Sequence, residues 1–343
     1  MKFEAITIKD IARALNLSAS SVSKALHGSH EISEATRKEV LRCAKKLNYK
    51  PNPIAQGLRK GRSKSIGVVV TNIDNNFFSQ VINGIESVAH KKEYNVIISQ
   101  THESYEREIL TIENFAARSI DGLMISLSAE TEKQDHFKKL HDNGLPMVFF
   151  DRVANTINTH KVTSNNFLGA YNATRHLIQQ GYKRIAHITS SNVLSITLER
   201  LEGYVKALKD YGYPVEECYI KYCNHGGMLQ SEIDVALQQL LSLTKTPDAI
   251  FTASDRLSTS VFSLLKRRHI KIPHQMAIIG FTNSISADIF DPPLSTISQP
   301  AYEMGQTATE LLIRLIESRR PVTSFEKIVL DNTLHIRESS GRG

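Results

Sequence analysis

"TIKDIARALNLSASSVSKALHG", residues 7–28, decides how the first part of the chain folds. Thr7 stands three residues before Asp10, the spacing of a capping box at a helix start. Ile8, Ile11, Ala12 and Leu15 then fall on one helical face. Asn16, Leu17 and Ser18 break the run, and Ser18 is placed to cap a second helix that Gly28 closes. That helix turns Val22, Ala25 and Leu26 inward and leaves Ala19, Ser20, Ser23, Lys24 and His27 on its opposite face. A third helix is expected from near Ser33 to Asn48, with Val40, Ala44 and Leu47 inward. Two short helices joined by about three residues, the second with a small, polar outer face, describe a helix-turn-helix. A generic three-helix bundle would carry the same apolar pattern.

Charge separates these two readings. Residues 1–63 hold 13 Lys+Arg against 5 Asp+Glu, and the remaining 280 hold 29 against 30, so the positive excess of the +7 chain lies in its first fifth. A basic small module on a neutral large body is the pattern of a module that meets a polyanion. A solubilising basic tail would be of low complexity, and residues 1–49 are not. The total of 343 residues suits two or three domains.

Residues 50–62, "KPNPIAQGLRKGR", combine prolines, glycines and basic side chains in the manner of a solvated linker. Yet Ile54, Ala55 and Leu58 recur in it at helical spacing, and so short a segment cannot bury Leu58 against itself. From Ser65 the pattern changes. Apolar runs such as "IGVVVT", "YNVIIS", "DGLMISL", "PMVFFD", "RIAHITS", "AIFTAS" and "MAIIGFT" alternate with amphipathic stretches near 77–92, 103–118, 131–143, 166–180, 198–210, 229–243 and 256–269. This alternation predicts an α/β fold of doubly wound parallel sheets, with too many units for one sheet and hence two lobes. Ligands on such sheets sit at the carboxyl ends of strands, an edge that becomes a cleft between two lobes.

The residues at those ends are the candidate ligand contacts: Phe77 and Phe78, Ser126 and Ser128, Asp151 and Arg152, Ser254 and Asp255, Thr282 and Asn283, with Arg200 at the start of a helix. Aromatic faces beside carboxylate, guanidinium and hydroxyl groups suit a sugar, whose ring stacks while its hydroxyls hydrogen-bond. Each residue also has a plainer role open to it. Phe77 and Phe78 fit a core, and Ser254 with Asp255 fits the N-cap of helix 256–269.

Other classes find little support. The motifs GxGxxG, GxxxxGK[ST], HExxH and GxSxG are absent, so a dehydrogenase or hydrolase lacks its chemistry and no cofactor is implied. Cys43, Cys218 and Cys223 contain no CxxC and point to free thiols in a reducing, cytoplasmic setting, although Cys218 and Cys223 are near enough in sequence to pair or to share a metal. No apolar run approaches a membrane span, and "MKFEAITIKD" lacks the apolar stretch of a signal peptide. A plain solute-binding protein would need export and would have no use for residues 1–62. A sequence-indifferent, nucleoid-type DNA binder is a third reading.

Residues 6–70, "ITIKDIARALNLSASSVSKALHGSHEISEATRKEVLRCAKKLNYKPNPIAQGLRKGRSKSIGVVV", resemble the headpiece of the lactose-repressor (LacI/GalR) family of bacterial transcription regulators. The marks T-I-x-D-I-A, S-x-x-S-V-S-K, T-R-x-x-V, L-x-Y-x-P-N, A-x-x-L and I-G-V occur in order and at family spacing. The resemblance implies that Ala19, Ser20 and Lys24 read bases, while Thr7, Ser18, Ser21, Ser23 and Thr36 face phosphates. It also implies that residues 50–63 form a hinge helix on operator DNA, with Asn52 and Gln56 among the DNA contacts and Leu58 wedged into the central minor-groove step. The family often has Arg where Lys24 stands, and a lysine reads guanine less rigidly than a guanidinium fork.

The body resembles the family's effector domain, which is like a periplasmic sugar-binding protein, over landmarks that include "NNFFSQVINGIE", "RLEGYVKAL", "AIIGFTN" and "DPPLSTISQPAYEMG". The resemblance implies a headpiece at 1–49, a hinge at 50–63 and an effector-binding and dimerisation domain at 64–343. Its first lobe is expected at about 64–162 plus 292–322, and its second at 163–291 plus 323–340. It implies a homodimer on pseudo-palindromic operator DNA, controlled by a small effector of carbohydrate type, and repression as the default. Helix 77–92, with Val81, Ile82, Ile85 and Val88, is a candidate dimer element, a core role being the alternative. After Arg337 only "ESSGRG" remains, so no heptad helix is expected to join dimers into tetramers. Two departures stand out: the family commonly has Asp at the position of Thr282 and often Asn at that of Ser254.

Overall fold

The computed structural model describes residues 6–50 and 62–342, and the chain divides into two compact units, 1–63 and 64–343. Asn52, Gln56 and Leu58 lie outside the described residues.

The first unit contains α1 (Ile8–Leu15), α2 (Ala19–Leu26) and α3 (Glu34–Lys46). Each start carries the cap that its sequence predicts. The Thr7 amide and hydroxyl donate to the Asp10 carboxylate at 2.9 and 2.7 Å. Ser18 accepts from the Ser21 amide at 3.0 Å, and Ser33 from the Thr36 amide at 3.2 Å. Asn16 makes the turn between α1 and α2 in the left-handed region (φ 51°), which asparagine tolerates better than most residues. Ile11, Ala12, Val22, Ala25, Val40 and Ala44 form the buried core, flanked by Ile8, Leu15, Leu26 and Leu47. Burying six side chains from three short helices leaves the outer face of α2 to solvent, with Ala19 and Ser20 exposed.

The second unit holds two six-stranded sheets. In chain order the first builds from β1 (Ser65–Val70), α4 (Asn76–Lys91), β2 (Asn95–Gln100), α5 (Tyr105–Ala117), β3 (Gly122–Ile125), α6 (Asp135–Asp142), β4 (Met147–Phe150) and β5 (Lys161–Ser164). The second builds from α7 (Asn166–Gln179), β6 (Ile185–Thr189), α8 (Ser195–Asp210), β7 (Ile220–Tyr222), α9 (Gln230–Leu241), β8 (Ala249–Thr252), α10 (Asp255–Arg267), β9 (Ala277–Phe281) and β10 (Ser295–Ser298). Then α11 (Ala301–Glu317) and β11 (Lys327–Leu330) return to the first lobe, and β12 (Thr333–His335) ends in the second. The strand orders are β11-β5-β4-β3-β1-β2 and β12-β10-β9-β8-β6-β7. All pairs are parallel except β10 with β12. The same order in both sheets puts a topological switch point beside β1 in one and β6 in the other, where doubly wound folds bind ligands.

The crossings between lobes are expected near 162, 291 and 322, and the second and third lie several residues further along the chain. They fall at 164–166, 298–301 and 330–333, because β5 and β11 pair with each other in the first sheet while β10 pairs with β9 in the second. β5 (KVTS), β7 (IKY), β10 (STIS), β11 (KIVL) and β12 (TLH) mix polar with apolar residues, unlike the apolar runs that mark β3, β4 and β8, so the sequence reading does not include them, nor α11.

Val81, Ile85 and Val88 are also reassigned. They lie in the first lobe's core beneath α11, not on a free dimer face; only Ile82 of that set is partly exposed. The reason is a pair of glycines. A Cβ at Gly84 would stand 2.1 Å from the Tyr302 carbonyl oxygen, and one at Gly305 would stand 2.1 Å from that of Val81. The backbones of α4 and α11 therefore touch, and the apolar side chains beside the glycines close over each other. Gly203 of α8 does the same in the second lobe, where a Cβ would meet the Phe167 carbonyl of α7 at 2.3 Å.

No helix among the described residues is long and apolar enough to cross a membrane. Cys218 and Cys223 are unpaired, and among the described residues no group of three or more His, Cys, Asp or Glu is arranged to hold a metal. Burial pushes the Cys223 thiol up to about 12.

Candidate functional site

The turn after β1 brings two aromatic rings to the edge of the first sheet. Asn75 caps α4 by accepting from the Phe77 amide at 2.8 Å, which fixes Phe77 and Phe78 in the first turn. Their rings meet edge to face with centroids 5.2 Å apart. Asp151 follows β4 with φ 57°, a left-handed conformation that costs a non-glycine residue about 1–2 kcal/mol. Its carboxylate accepts from Gln299 at 3.4 Å, and Gln299 also donates to Ser164 at 3.0 Å.

From the second lobe, α8 sends in Arg200, which is 3% exposed. Its Nε donates to Asn166 at 2.9 Å, its Nη1 donates to the Ala253 carbonyl at 2.5 Å, and its guanidinium lies 3.9 Å over the Phe281 ring. Its Nη2 is buried and has no hydrogen-bond partner. At the start of α10, Ser254 caps the helix by accepting from the Leu257 amide. Asp255 accepts from the Thr282 hydroxyl and, across the cleft, from Asn76.

Phe77, Phe78, Asp151, Arg152, Arg200, Ser254, Asp255, Thr282 and Asn283 line one cavity of about 390 Å³, part of it open to solvent. The room inside it for a body the size of a water is only about 50 Å³, well below the roughly 300–1,000 Å³ typical of ligand pockets, so the two walls stand close together. Ser126 and Ser128 do not line it. The Ser126 amide extends the β1–β3 ladder to the Val69 carbonyl, leaving its hydroxyl fully buried. The Ser128 hydroxyl donates to Thr101 at 2.7 Å and its amide to the buried Glu108 at 2.8 Å. Asn75, Ile196, Phe281 and Gln299 also line the cavity, and the sequence reading did not single them out. Gln299 belongs to a crossing segment, and its only local signal is the Pro300 that follows.

Burial governs the site's electrostatics. It raises the Asp151 and Asp255 carboxyls above their ordinary range, opposed at Asp151 by Arg152 and Arg200 and at Asp255 by bonds from Thr282 and Asn76. It lowers Arg200 to about 10, against the pull of Asp151. Burial would lower Arg152 as well, but Glu103, which accepts from Nη1 at 2.6 Å, together with Asp151 and Glu108 more than offsets it, so Arg152 stands above its ordinary value. Much of the cleft is thus already paired within the protein. Arg200 Nη2 and Arg152 Nε are buried donors with no hydrogen-bond partner. The two residues that depart from the family pattern are also engaged, Thr282 by Asp255 and the Ser284 amide, Ser254 by its helix.

The lobes touch across the cleft. Asn283 Nδ2 donates to Gln80 Oε1 at 2.8 Å and Gln80 Nε2 to the Asn283 carbonyl at 3.1 Å. Arg256 donates to both carboxylate oxygens of Asp74 at 2.8 Å, and Asn72 meets the Met228 sulfur at 3.4 Å. Ala129 packs with Leu194 and Ile196.

On the first unit, Ala19 and Ser20 are free at the start of α2, whereas Thr7, Ser18, Ser21 and Thr36 are held in helix-end hydrogen bonds. Ser23 is partly buried, with its carbonyl bonded to the His27 ring. Lys24 is ion-paired with Glu31.

Residues 7–52 match the family described as bacterial regulatory proteins, lacI family, and residues 174–340 match a periplasmic binding protein-like domain. The ribose operon repressor of Haemophilus influenzae is 32% identical over 336 residues, covering 97% of this chain and 98% of that protein. The chain belongs to the LacI family. The HTH-type transcriptional repressor CytR of Escherichia coli is 33% identical over 341 residues, with 98% and 96% coverage. Among solved structures, the transcriptional regulator CelR–cellobiose complex matches with a TM-score of 0.73 at 25% identity, covering 97% of this chain and 99% of that one. This LacI-family chain is a DNA-binding transcription regulator and not an enzyme.

Proposed function

We propose that the protein is a cytoplasmic, dimeric repressor that binds a pseudo-palindromic operator and changes its grip on that operator when a carbohydrate enters the cleft. Two copies of a helix-turn-helix cover two half-sites, which is why a dimer is expected. Ala19, Ser20 and Lys24 face base edges, and Thr7, Ser18, Ser21, Ser23 and Thr36 face the phosphates at the helix ends. Asn52, Gln56 and Leu58 act in the hinge on DNA. In the cleft Phe77 and Phe78 supply the stacking face, while Asp151, Arg152 and Arg200 supply hydrogen bonds. Asp255 and Thr282 act as a bonded pair that shapes the second lobe's wall.

The observation that carries the ligand half of this reading is the Nη2 of Arg200. A buried guanidinium N–H without an acceptor costs about 1–3 kcal/mol, a cost that an incoming hydroxyl removes. Supporting relatives include the ribose operon repressor and a regulator solved with cellobiose. The test is a thermal-shift screen of the purified protein against pentoses, hexoses, disaccharides, nucleosides and sugar phosphates, followed by operator gel shifts with any hit. A ligand of the native form raises its melting temperature. The carbohydrate reading fails if no sugar shifts melting, or if a sugar that does leaves operator affinity unchanged.

A further inference from the structure

We propose that Glu31 determines DNA specificity by holding Lys24 in an ion pair that is released only where the bases satisfy both members. The proposal rests on the reading of Lys24 as a base-facing residue. Lys24 projects from α2, and Glu31 lies in the loop between α2 and α3; their side chains are 44% and 54% exposed, and the carboxylate meets Nζ. The loop is built to present it there. The Ser29 amide donates to the Lys24 carbonyl at 3.0 Å, the Glu31 amide donates to Ser29 Oγ at 3.4 Å, and Ile32 packs against the headpiece core.

The first unit's other described carboxylates do not share this placement. Asp10 caps α1, Glu34 opens α3 beside Lys38, and Glu39 lies further along α3. Glu31 sits outside any helix and has no capping role. Stability does not account for it either, because exposed ion pairs contribute little to folding.

DNA binding gives the pair a use. Within about 10 Å of phosphates at 0.1 M salt a carboxylate is repelled. On arbitrary sequence, then, what Lys24 gains from a phosphate Glu31 loses, and the pair adds almost nothing to binding. A half-site with guanine under Lys24 and a neighbouring cytosine or adenine under Glu31 is different. Lysine donates to guanine O6 or N7, and the carboxylate accepts from the exocyclic amino group of the other base. The pair therefore suppresses sequence-indifferent binding and strengthens one base combination.

The test uses the full-length protein with Glu31→Gln, Glu31→Asp and Lys24→Ala. Binding is measured to random duplex and to an operator chosen by site selection, and selection is repeated for each variant. Glu31→Gln is expected to raise random-duplex affinity about fivefold per headpiece and to steepen the salt slope by about one. It should not raise operator affinity, so the preference falls. Glu31→Asp keeps the charge but shortens the side chain; it should leave random-duplex binding unchanged and weaken operator binding at least threefold. The proposal is overturned if Glu31→Gln moves both affinities by one factor, or if Glu31→Asp binds the operator like the natural protein. Lys24→Ala separates the two readings. A uniform loss on every sequence overturns the base-facing role of Lys24 and this proposal with it. Relaxation at one base position, together with a uniform effect of Glu31→Gln, overturns only the role of Glu31.

Discussion

Gln80 and Asn283 bond to each other twice across the cleft, amide to amide at 2.8 Å and amide to carbonyl at 3.1 Å, and so join α4 of the first lobe to the strand end of the second. Two neutral hydrogen bonds contribute about 1–3 kcal/mol. Gln80→Ala should shift the unliganded protein toward an open arrangement by that amount. Small-angle scattering should show a larger radius of gyration, and the effector should bind more weakly because the ligand then has to drive more of the closure. Identical scattering curves and ligand affinity would show that the clasp does not set the resting state.

Arg200→Ala should abolish the ligand-induced rise in melting temperature, with a loss of about 1.5–3 kcal/mol for a charged hydrogen-bond donor. Asp255→Ala should do likewise by releasing Thr282. Operator affinity without ligand should stay near that of the natural protein, since neither residue belongs to the first unit. If either variant is folded yet binds operator poorly, its place in the cleft has been misassigned.

At the glycine crossing, Gly84→Ala and Gly305→Ala should each destabilise the body by at least 1–3 kcal/mol, since the new methyl group has to push two helix backbones apart. Denaturant titration with an unchanged slope would report this as a fall in midpoint. A midpoint within error of the natural protein would mean that the helices are not in contact there.

Acid should weaken the second lobe through His187. Its ring is fully buried, stacked between Tyr204 and Phe251, and burial lowers it from 6.5 to about 3. The folded form keeps the ring neutral while the unfolded chain protonates it. The contribution is therefore complete above pH 6.5 and is lost as pH falls toward 3. Near pH 5 the loss is about 2 kcal/mol. His160 and His176, lowered mainly by burial, act in the same direction. His187→Phe should flatten the melting profile between pH 7 and 5; an equally steep profile would assign the acid sensitivity elsewhere.

Leu58→Ala should weaken operator binding and DNA bending while leaving the melting curve of the free protein and the salt slope of binding unchanged. A large melting shift would place the leucine in a core instead of a minor groove.

Where one chemical rule acts locally, the sequence was legible. Thr7, Ser18 and Ser33 mark helix starts because a cap needs only a side-chain oxygen two or three residues from an orphan amide. The ends of the buried apolar strands were equally readable, and Phe77, Asp151 and Thr282, picked out by that rule, do line a common cavity. Gln299 was hidden because its position depends on which sheet β10 joins, a decision made by residues far away in sequence. Val81 and Ile85 show a related limit. Amphipathic spacing tells that a helix face is covered, but only the contact with Gly305 reveals that another helix of the same lobe covers it. Ser126 and Ser128 do not line the cavity, since a strand end that stays buried looks the same in sequence as one that opens into a cleft.

The three crossings also constrain how the molecule is made. As the chain emerges from the ribosome, β5 lacks its outer neighbour until β11 (327–330) has been synthesised, and α4 lacks its glycine partner until residue 305. Both arrive after nearly all of the second lobe. The lobe that begins first therefore finishes almost last, and neither can be cut out as one continuous piece. A nascent chain that has emerged from the ribosome as far as residue 290 should carry a largely assembled second lobe beside an unfinished first one, with its apolar helix face open to chaperones.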